Sequence, residues 1–258
     1  MRTDGRLAGK VVLLTGASKG IGAATARELA EAGALLVAHY NSDRAGAEAS
    51  VAGVPADRTL LLQADAGELA AMDRLWSEAL AWQGRLDAVV LNAATMVAGG
   101  GIEDPEAEWD EAWDLQWRVN VLGPARLMRH AVPHFKARGG GVLVTISSWA
   151  AQRGVTNPAM VAYAASKAAI KAAAQTVARG YAKDGILSYV VAPGVVRTRM
   201  SLDFAATQGG EEKVSAMLAM GEWVTPEELG RLVAFLCEGS VKHLSGATLD
   251  VNGASYIR

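Results

Sequence analysis

A single cysteine, Cys237, stands in a chain of 258 residues. It has no partner for an intramolecular disulfide and no second thiol for a CxxC metal or redox site, so no metal is expected and a reducing cytoplasm fits. Charge of one sign is also missing. With 25 basic and 27 acidic residues the net charge is −2, which leaves no general attraction to nucleic acid or to anionic lipid. No apolar run approaches the ~18 residues of a membrane span, and the opening MRTDGRLAGK has no hydrophobic segment of a secretory leader. Neither a membrane nor a nucleic acid is therefore expected as a partner. What is present is apolar content of 51% against 20% charged, enough for a well-buried core. The length sits at the upper end of what one core organises, and no composition shift marks a boundary, so a single domain over 1–258 is expected.

Short Val- and Leu-rich runs alternate with longer Ala-rich segments of helical period. That is the pattern of repeated βαβ units, and it predicts a parallel sheet covered by helices on both faces. Seven strands are expected near Val11–Thr15, Leu35–His39, Thr59–Ala64, Ala88–Leu91, Gly141–Ser147, Leu187–Ala192 and Thr248–Val251. Helices are expected near Ile21–Ala32, Arg44–Ala52, Glu68–Trp82, Glu106–Arg138 with a break at Gly123-Pro124, Ala159–Lys183 and Pro226–Glu238. The stretch from 195 to 225 interrupts the alternation, and Met200, Leu202, Phe204, Met217, Leu218 and Met220 punctuate it. It reads either as a lid over a ligand or as an amphipathic surface helix.

The first strand runs into Thr15-Gly16-Ala17-Ser18-Lys19-Gly20-Ile21-Gly22, where the following helix begins. Glycines in such a turn let the backbone approach a pyrophosphate, whose charge is met by free N–H groups at the helix N-terminus. Further along, Tyr163 and Lys167 lie four residues apart in an expected helix and leave the same face one turn apart. An ammonium beside a phenol favours the phenolate, so the pair is expected to bring the phenol's pKa down toward working pH.

The spacing G-x-x-x-G-x-G, together with Tyr163-Ala164-Ala165-Ser166-Lys167 and Ser147-Ser148, resembles the short-chain dehydrogenase/reductases in their short single-domain branch. Asn92-Ala93-Ala94, Asn120, Pro193-Gly194 and Thr198 extend the resemblance from about Leu7 to the C-terminus. It implies a Rossmann-type doubly wound fold and hydride transfer between a nicotinamide dinucleotide and a ketone or secondary alcohol. It also implies a catalytic set of Asn120, Ser148, Tyr163 and Lys167. Tyr163 would be the acid and base at the substrate oxygen, and Lys167 would also hold the nicotinamide ribose. Ser148 would bond the substrate oxygen, with Ser147 as the alternative, and Asn120 would maintain a water-linked proton path. Cofactor contacts are expected from Gly16, Ser18, Lys19, Gly20, Ile21, Gly22, Tyr40, Asn41, Ser42, Asp65, Asn92, Ala93, Tyr163, Lys167, Pro193, Gly194, Val196 and Thr198. The chain departs from the family's N-N-A-G, since Ala94 stands in place of its glycine. The gap between Ser148 and Tyr163 is also longer than common.

At the end of the second strand, His39-Tyr40-Asn41-Ser42 lacks the carboxylate with which NAD-preferring relatives hold the adenosine ribose. Lys19, Asn41 and Ser42 offer a cation and donors to a 2′-phosphate instead, so NADP(H) is expected over NAD(H), although Asp43 and Arg44 follow closely. Met96, Val97, Trp149, Val195, Met200, Phe204 and Trp223 read as an apolar substrate wall, with Ser148, Trp149, Met200 and Trp223 as the nearest contacts. Arg153, Arg197 and Arg199 offer charge to an anionic substrate group, and Lys136 and Arg138 to an acyl-carrier protein; solvated side chains are the plainer reading of all five. Trp109, Trp113 and Trp117 form a stripe along one helix, either core packing or a subunit contact. The resemblance implies subunit contacts through this helix and the Tyr163 helix, so a homotetramer is expected, with a homodimer second. The reaction expected is that of a carbonyl reductase or 3-oxoacyl-type reductase. The competing function is a catalytically silent dinucleotide-binding sensor or scaffold.

Overall fold

The computed structural model describes residues 5–97 and 99–258. Residues 1–4, part of the stretch read for a leader, lie outside it. Seven parallel strands form one sheet in the order β3-β2-β1-β4-β5-β6-β7. They are β1 (Val11–Leu14), β2 (Leu35–Tyr40), β3 (Thr59–Gln63), β4 (Ala88–Leu91), β5 (Gly141–Ile146), β6 (Ile186–Pro193) and β7 (Thr248–Val251). The chain fills one half of the sheet outward from β1, then crosses to β4 and fills the other. Leu14 accordingly has Ala38 on one side and Val90 on the other. Helices on both faces complete the Rossmann-type architecture, and the reversal between β1 and β4 opens a crevice at the carboxyl ends of the strands.

Alternate residues of each strand serve opposite layers, which is why β1 and β4 read as unbroken apolar runs. Val12, Leu14, Leu36, Val90, Val144 and Val191 pack with Leu29 of α1 (Gly20–Glu31) and with Leu229 and Val233 of α10 (Pro226–Glu238). On the other face Leu13, Val37, Val89, Leu143 and Val190 meet α3 (Leu69–Gln83), α5 (Gly123–Ala137) and α7 (Val161–Tyr181) through Leu75, Trp76, Leu127, Phe135 and Ile170. Each fully buried side chain of this kind contributes about 1.5–3 kcal/mol. Cys237 lies wholly inside the first layer, where burial pushes its thiol up to about 12, so it acts as a small apolar residue.

The helix expected to break at Gly123-Pro124 does not break. α4 (Glu106–Trp117) continues through a π turn, Arg118–Leu122, into α5. The Gly123 N–H bonds back to the Arg118 carbonyl, five residues away. Pro124 has no N–H to give, and a Cβ on Gly123 would sit 2.2 Å from the Ala66 carbonyl oxygen, so the axis passes close to the end of β3.

Two short helices, α8 (Arg199–Thr207) and α9 (Glu211–Ala216), occupy the stretch expected as a lid or surface helix. They enclose a small core of their own, Ala205, Val214 and Trp223 with Leu202 and Leu218 packed against it. Among the described residues the remaining α-helices are α2 (Arg44–Ser50) and α6 (Ala150–Arg153). Among the described residues no helix is long and apolar enough to cross a membrane.

Candidate active site

The crevice begins at the glycine-rich turn. Gly16 and Gly20 have φ of +73° and +55°, a region that side chains with a Cβ rarely adopt. A Cβ on Gly22 would lie 1.9 Å from the Gly16 carbonyl oxygen, so this cradle tolerates no side chain at 22. Thr15 and Asn92 fasten it to β4. Thr15 Oγ1 accepts from the backbone N–H groups of Asn92 and Ala93 at 2.9 and 3.0 Å. Asn92 Nδ2 donates to the carbonyls of Thr15 and Gly16 at 2.9 and 3.1 Å. The turn opens on α1, whose N-cap residue, Lys19, makes no side-chain capping bond. The N–H groups of that first turn therefore remain for an anion.

A cavity of about 450 Å³ runs from this turn across the strand ends to α7. Of the expected cofactor residues, Gly16, Ser18, Lys19, Gly20, Ile21, Gly22, Asn41, Ser42, Asp65, Asn92, Ala93, Pro193, Gly194, Val196 and Thr198 line it, together with Ser148, Tyr163, Lys167 and Met200. Tyr40 does not: its ring is buried at the end of β2, and Asn41 and Ser42 form the wall beyond it. Asp43 also lines the cavity, but its carboxylate accepts from the Gly46 N–H at 2.8 Å and caps α2.

Trp223 and Trp149 are not part of this wall. Trp223 is buried within the α8–α9 core and donates from Nε1 to Ser215 Oγ at 2.9 Å. Trp149 packs 3.5 Å from where a Cβ on Gly194 would stand, with the Arg153 guanidinium 4.3 Å from its ring centroid. Leu115 and Val119 line the cavity instead, brought there by the helix that carries Asn120. Arg197 and Arg199 are paired with Glu211 and Asp203, and Lys136 and Arg138 with Asp184 and Asp87. In the tryptophan stripe, Trp109 and Trp113 are half-buried with centroids 5.0 Å apart, Trp113 donates to the Gly100 carbonyl, and Trp117 is exposed.

Three side chains converge where β5 meets α7. Tyr163 faces Ser148, whose Oγ accepts from the Ala150 N–H at 3.1 Å. Burial raises the Tyr163 phenol above its ordinary value, with the neighbouring Ser148 hydroxyl opposing it. The lowering expected from the lysine is not realised here, because the ammonium lies 5.9 Å from the ring centroid and bonds elsewhere. Lys167 is buried and donates from Nζ to the Ile146 carbonyl at 2.9 Å, and burial brings its pKa down to about 8. Ser147 Oγ donates to the Lys167 carbonyl at 2.9 Å, so the first serine ties β5 to α7 while the second faces the tyrosine.

Asn120 lies within the π turn and is buried off the cavity. Its Oδ1 accepts from the Thr95 N–H at 2.8 Å, and its Nδ2 donates to the Thr95 carbonyl at 2.9 Å and to Ser166 Oγ at 3.0 Å. Ser166 Oγ in turn donates to the Tyr163 carbonyl. The amide thereby joins the loop after β4 to the helix turn that carries Tyr163 and Lys167.

A glycine cradle at a helix N-terminus, an elongated cavity and a Ser–Tyr–Lys cluster at its far end suit a dinucleotide and a small reacting group. Comparisons with known proteins agree. Residues 16–254 match the family model described as enoyl-(acyl carrier protein) reductase. The chain is 32% identical to 3beta-hydroxysteroid dehydrogenase 1 of Eggerthella lenta, over 96% of this chain and 94% of that one. It is also 32% identical to human dehydrogenase/reductase SDR family member 4, over 98% and 89%. Among solved structures it resembles a 3-ketoacyl-(acyl-carrier-protein) reductase from Brucella melitensis complexed with NADH (TM-score 0.85, 29% identity, 97% of this chain and 99% of that one). It likewise resembles a short chain dehydrogenase from Burkholderia cenocepacia in complex with NADP (TM-score 0.87, 31% identity, same coverage). The chain belongs to the short-chain dehydrogenase/reductase family. The family is one of oxidoreductases acting on CH–OH and C=O groups.

Proposed function

We propose that the protein is an NADP(H)-dependent reductase of ketones, or dehydrogenase of the corresponding secondary alcohols, of the carbonyl or 3-oxoacyl type. The observation that carries this reading is the meeting of Ser148, Tyr163 and a buried Lys167 in one cavity that begins in a glycine cradle. Bound there, the dinucleotide supplies or accepts the hydride. Ser148 donates to the substrate oxygen and orients it. Tyr163 gives its proton to that oxygen in reduction and takes it back in oxidation. Lys167, charged at neutral pH because its pKa of about 8 lies above 7, supports the phenolate. Asn120 is a positioning residue that holds Thr95 and the Tyr163 turn in register.

The preference for NADP(H) rests on Lys19, Asn41 and Ser42, which line the adenosine end of the cavity, while the Asp43 carboxylate is engaged as the α2 cap. The segment 195–225 acts as the substrate lid, with Met200 as its inward contact. Exposed Trp117 and Leu122 on the α4–α5 helix, with the small residues along α7, support a homotetramer.

A panel of ketones and secondary alcohols followed at the NADPH absorbance band, and repeated with NADH, tests the reading. Turnover of a ketone that is faster with NADPH is the expected result. Dinucleotide binding without turnover across the panel would favour a silent sensor or scaffold instead.

A further inference from the structure

His39 lies at the carboxyl end of β2 and is 1% exposed, yet its ring lines the cavity. Its two nitrogens have separate tasks. Nδ1 accepts from the Gly16 N–H at 3.1 Å, and Nε2 donates to the Ala64 carbonyl at 3.0 Å. A backbone amide only donates and a carbonyl only accepts, so these two partners fix one neutral tautomer, with the proton on Nε2. The backbone of the same residue takes the next amide of the turn, since the Ala17 N–H donates to the His39 carbonyl at 2.8 Å. One residue of β2 thus holds two successive N–H groups of the glycine-rich turn.

We propose that His39 is the positioning residue that sets this turn for the dinucleotide, and that it does so only as the neutral imidazole. A second proton would fall on Nδ1 and oppose one N–H to another, leaving the Gly16 amide without an acceptor. Gly16 is where such a loss matters. Its carbonyl is the atom that limits position 22, and a Cβ at 16 would stand 3.0 Å from the Ala93 Cα, so the turn has no slack in which to find another partner. Cofactor affinity therefore falls as the pH is lowered through the His39 titration. Burial holds that titration below the ordinary value for histidine, and the bond to the Ala64 carbonyl, with Asp65 nearby, opposes the depression. Lys19 and Asp43 are the other charged groups on the adenosine side of the cavity. The strands flanking His39, β1 and β3, carry no ionisable side chain.

The inference rests on the dinucleotide reading, and the test separates the two. NADH is the probe, because the 2′-phosphate of NADPH titrates near pH ~6 and would add a pH dependence of its own. Binding of NADH to the full chain is titrated between pH 8 and pH 5 for the wild type, His39→Asn and His39→Gln. The asparagine amide oxygen replaces Nδ1 and restores the Gly16 acceptor, whereas the glutamine amide reaches only the Nε2 side. Wild-type affinity should fall toward the acid end of the range, with the loss steepening below the ordinary histidine value. His39→Asn should stay within about threefold of the pH 8 wild type throughout, while His39→Gln should be weakened about tenfold or more at every pH. A flat wild-type profile, the same slope in His39→Asn, or equal affinities for the two variants would overturn the inference while leaving dinucleotide binding intact. A wild type that binds neither NADH nor NADPH at any pH overturns both. Nitrogen chemical shifts of the labelled imidazole provide a second reading: Nε2 protonated and Nδ1 bare at pH 7 is expected, and the opposite tautomer refutes it.

Discussion

The Lys167 ammonium is sealed against the end of β5, where its Nζ donates to the Ile146 carbonyl at 2.9 Å. Burial takes its pKa from 10.5 to about 8. Below pH 8 the folded and unfolded states both hold this proton, and the folded state bears the full cost of enclosing the charge. Between pH 8 and 10.5 only the unfolded state keeps the proton, so this residue's contribution to stability improves as pH rises. Urea unfolding of the wild type and Lys167→Met at pH 7.5 and pH 10 should show the stability difference moving toward the wild type by up to about 3 kcal/mol. A difference that stays constant over the window would mean the ammonium is solvated.

Tyr163→Phe removes one hydroxyl and leaves a ring of the same shape. Turnover should fall about 10²–10⁴-fold, the usual worth of a placed general acid, while dinucleotide affinity changes little. Single-turnover rates with either nucleotide check this, and a variant with near wild-type turnover would dismiss the assigned role.

Glycine positions offer a paired comparison. Gly22→Ala puts a methyl 1.9 Å from the Gly16 oxygen and should abolish dinucleotide binding or folding. Gly180→Ala, near the end of α7 with nothing within 4 Å of the new atom, should raise unfolding free energy by about 0.5–1 kcal/mol. Calorimetry and dinucleotide titration on both variants measure the two effects.

Cofactor choice is expected to turn on Lys19 and Asn41. Lys19→Ala should weaken NADPH more than NADH, and Asn41→Asp should shift preference toward NADH by repelling the 2′-phosphate. Position 41 is the place for that carboxylate because Tyr40, one residue earlier, is buried away from the cavity. Unchanged affinity ratios in both variants would leave the phosphate assignment without support.

Assembly is tested at Ala172, an exposed position on α7. Ala172→Arg should reduce the mass found by light scattering and lower turnover at micromolar concentration. A wild type that is already a fully active monomer would remove the proposed interface.

The features legible in the sequence are those whose chemistry lies within a few residues. The seven apolar strand segments, the glycine spacing and the four-residue step from Tyr163 to Lys167 are of this kind, and the structure places them where their patterns imply. Contacts that close over long distances were not legible. Asn120 reaches Thr95 across 25 residues and Ser166 across 46, and nothing near it in the chain announces either partner. His39 was read only for the carboxylate missing beside it, because its bond to Gly16 depends on the pairing of β2 with β1. Trp223 looked like a pocket residue, but Val214 and Ala205 enclose it. The break expected at Gly123-Pro124 is absent, because a π turn carries the helix past Pro124 where Gly123 approaches Ala66.

The π turn at Arg118–Leu122 also acts as a phase shift. Admitting one residue more than a regular turn holds advances everything downstream by about 100° around the axis. One continuous rod can therefore present Ala112 and Gln116 to one neighbour and Leu127, Ala131 and Phe135 to another, although an unshifted helix would have aligned them in a single row. Removing one residue from this turn would restore ordinary winding but leave α4 and α5 unable to be seated together. The irregular turn that carries Asn120 is thus the gear that lets a single helix mesh with two surfaces.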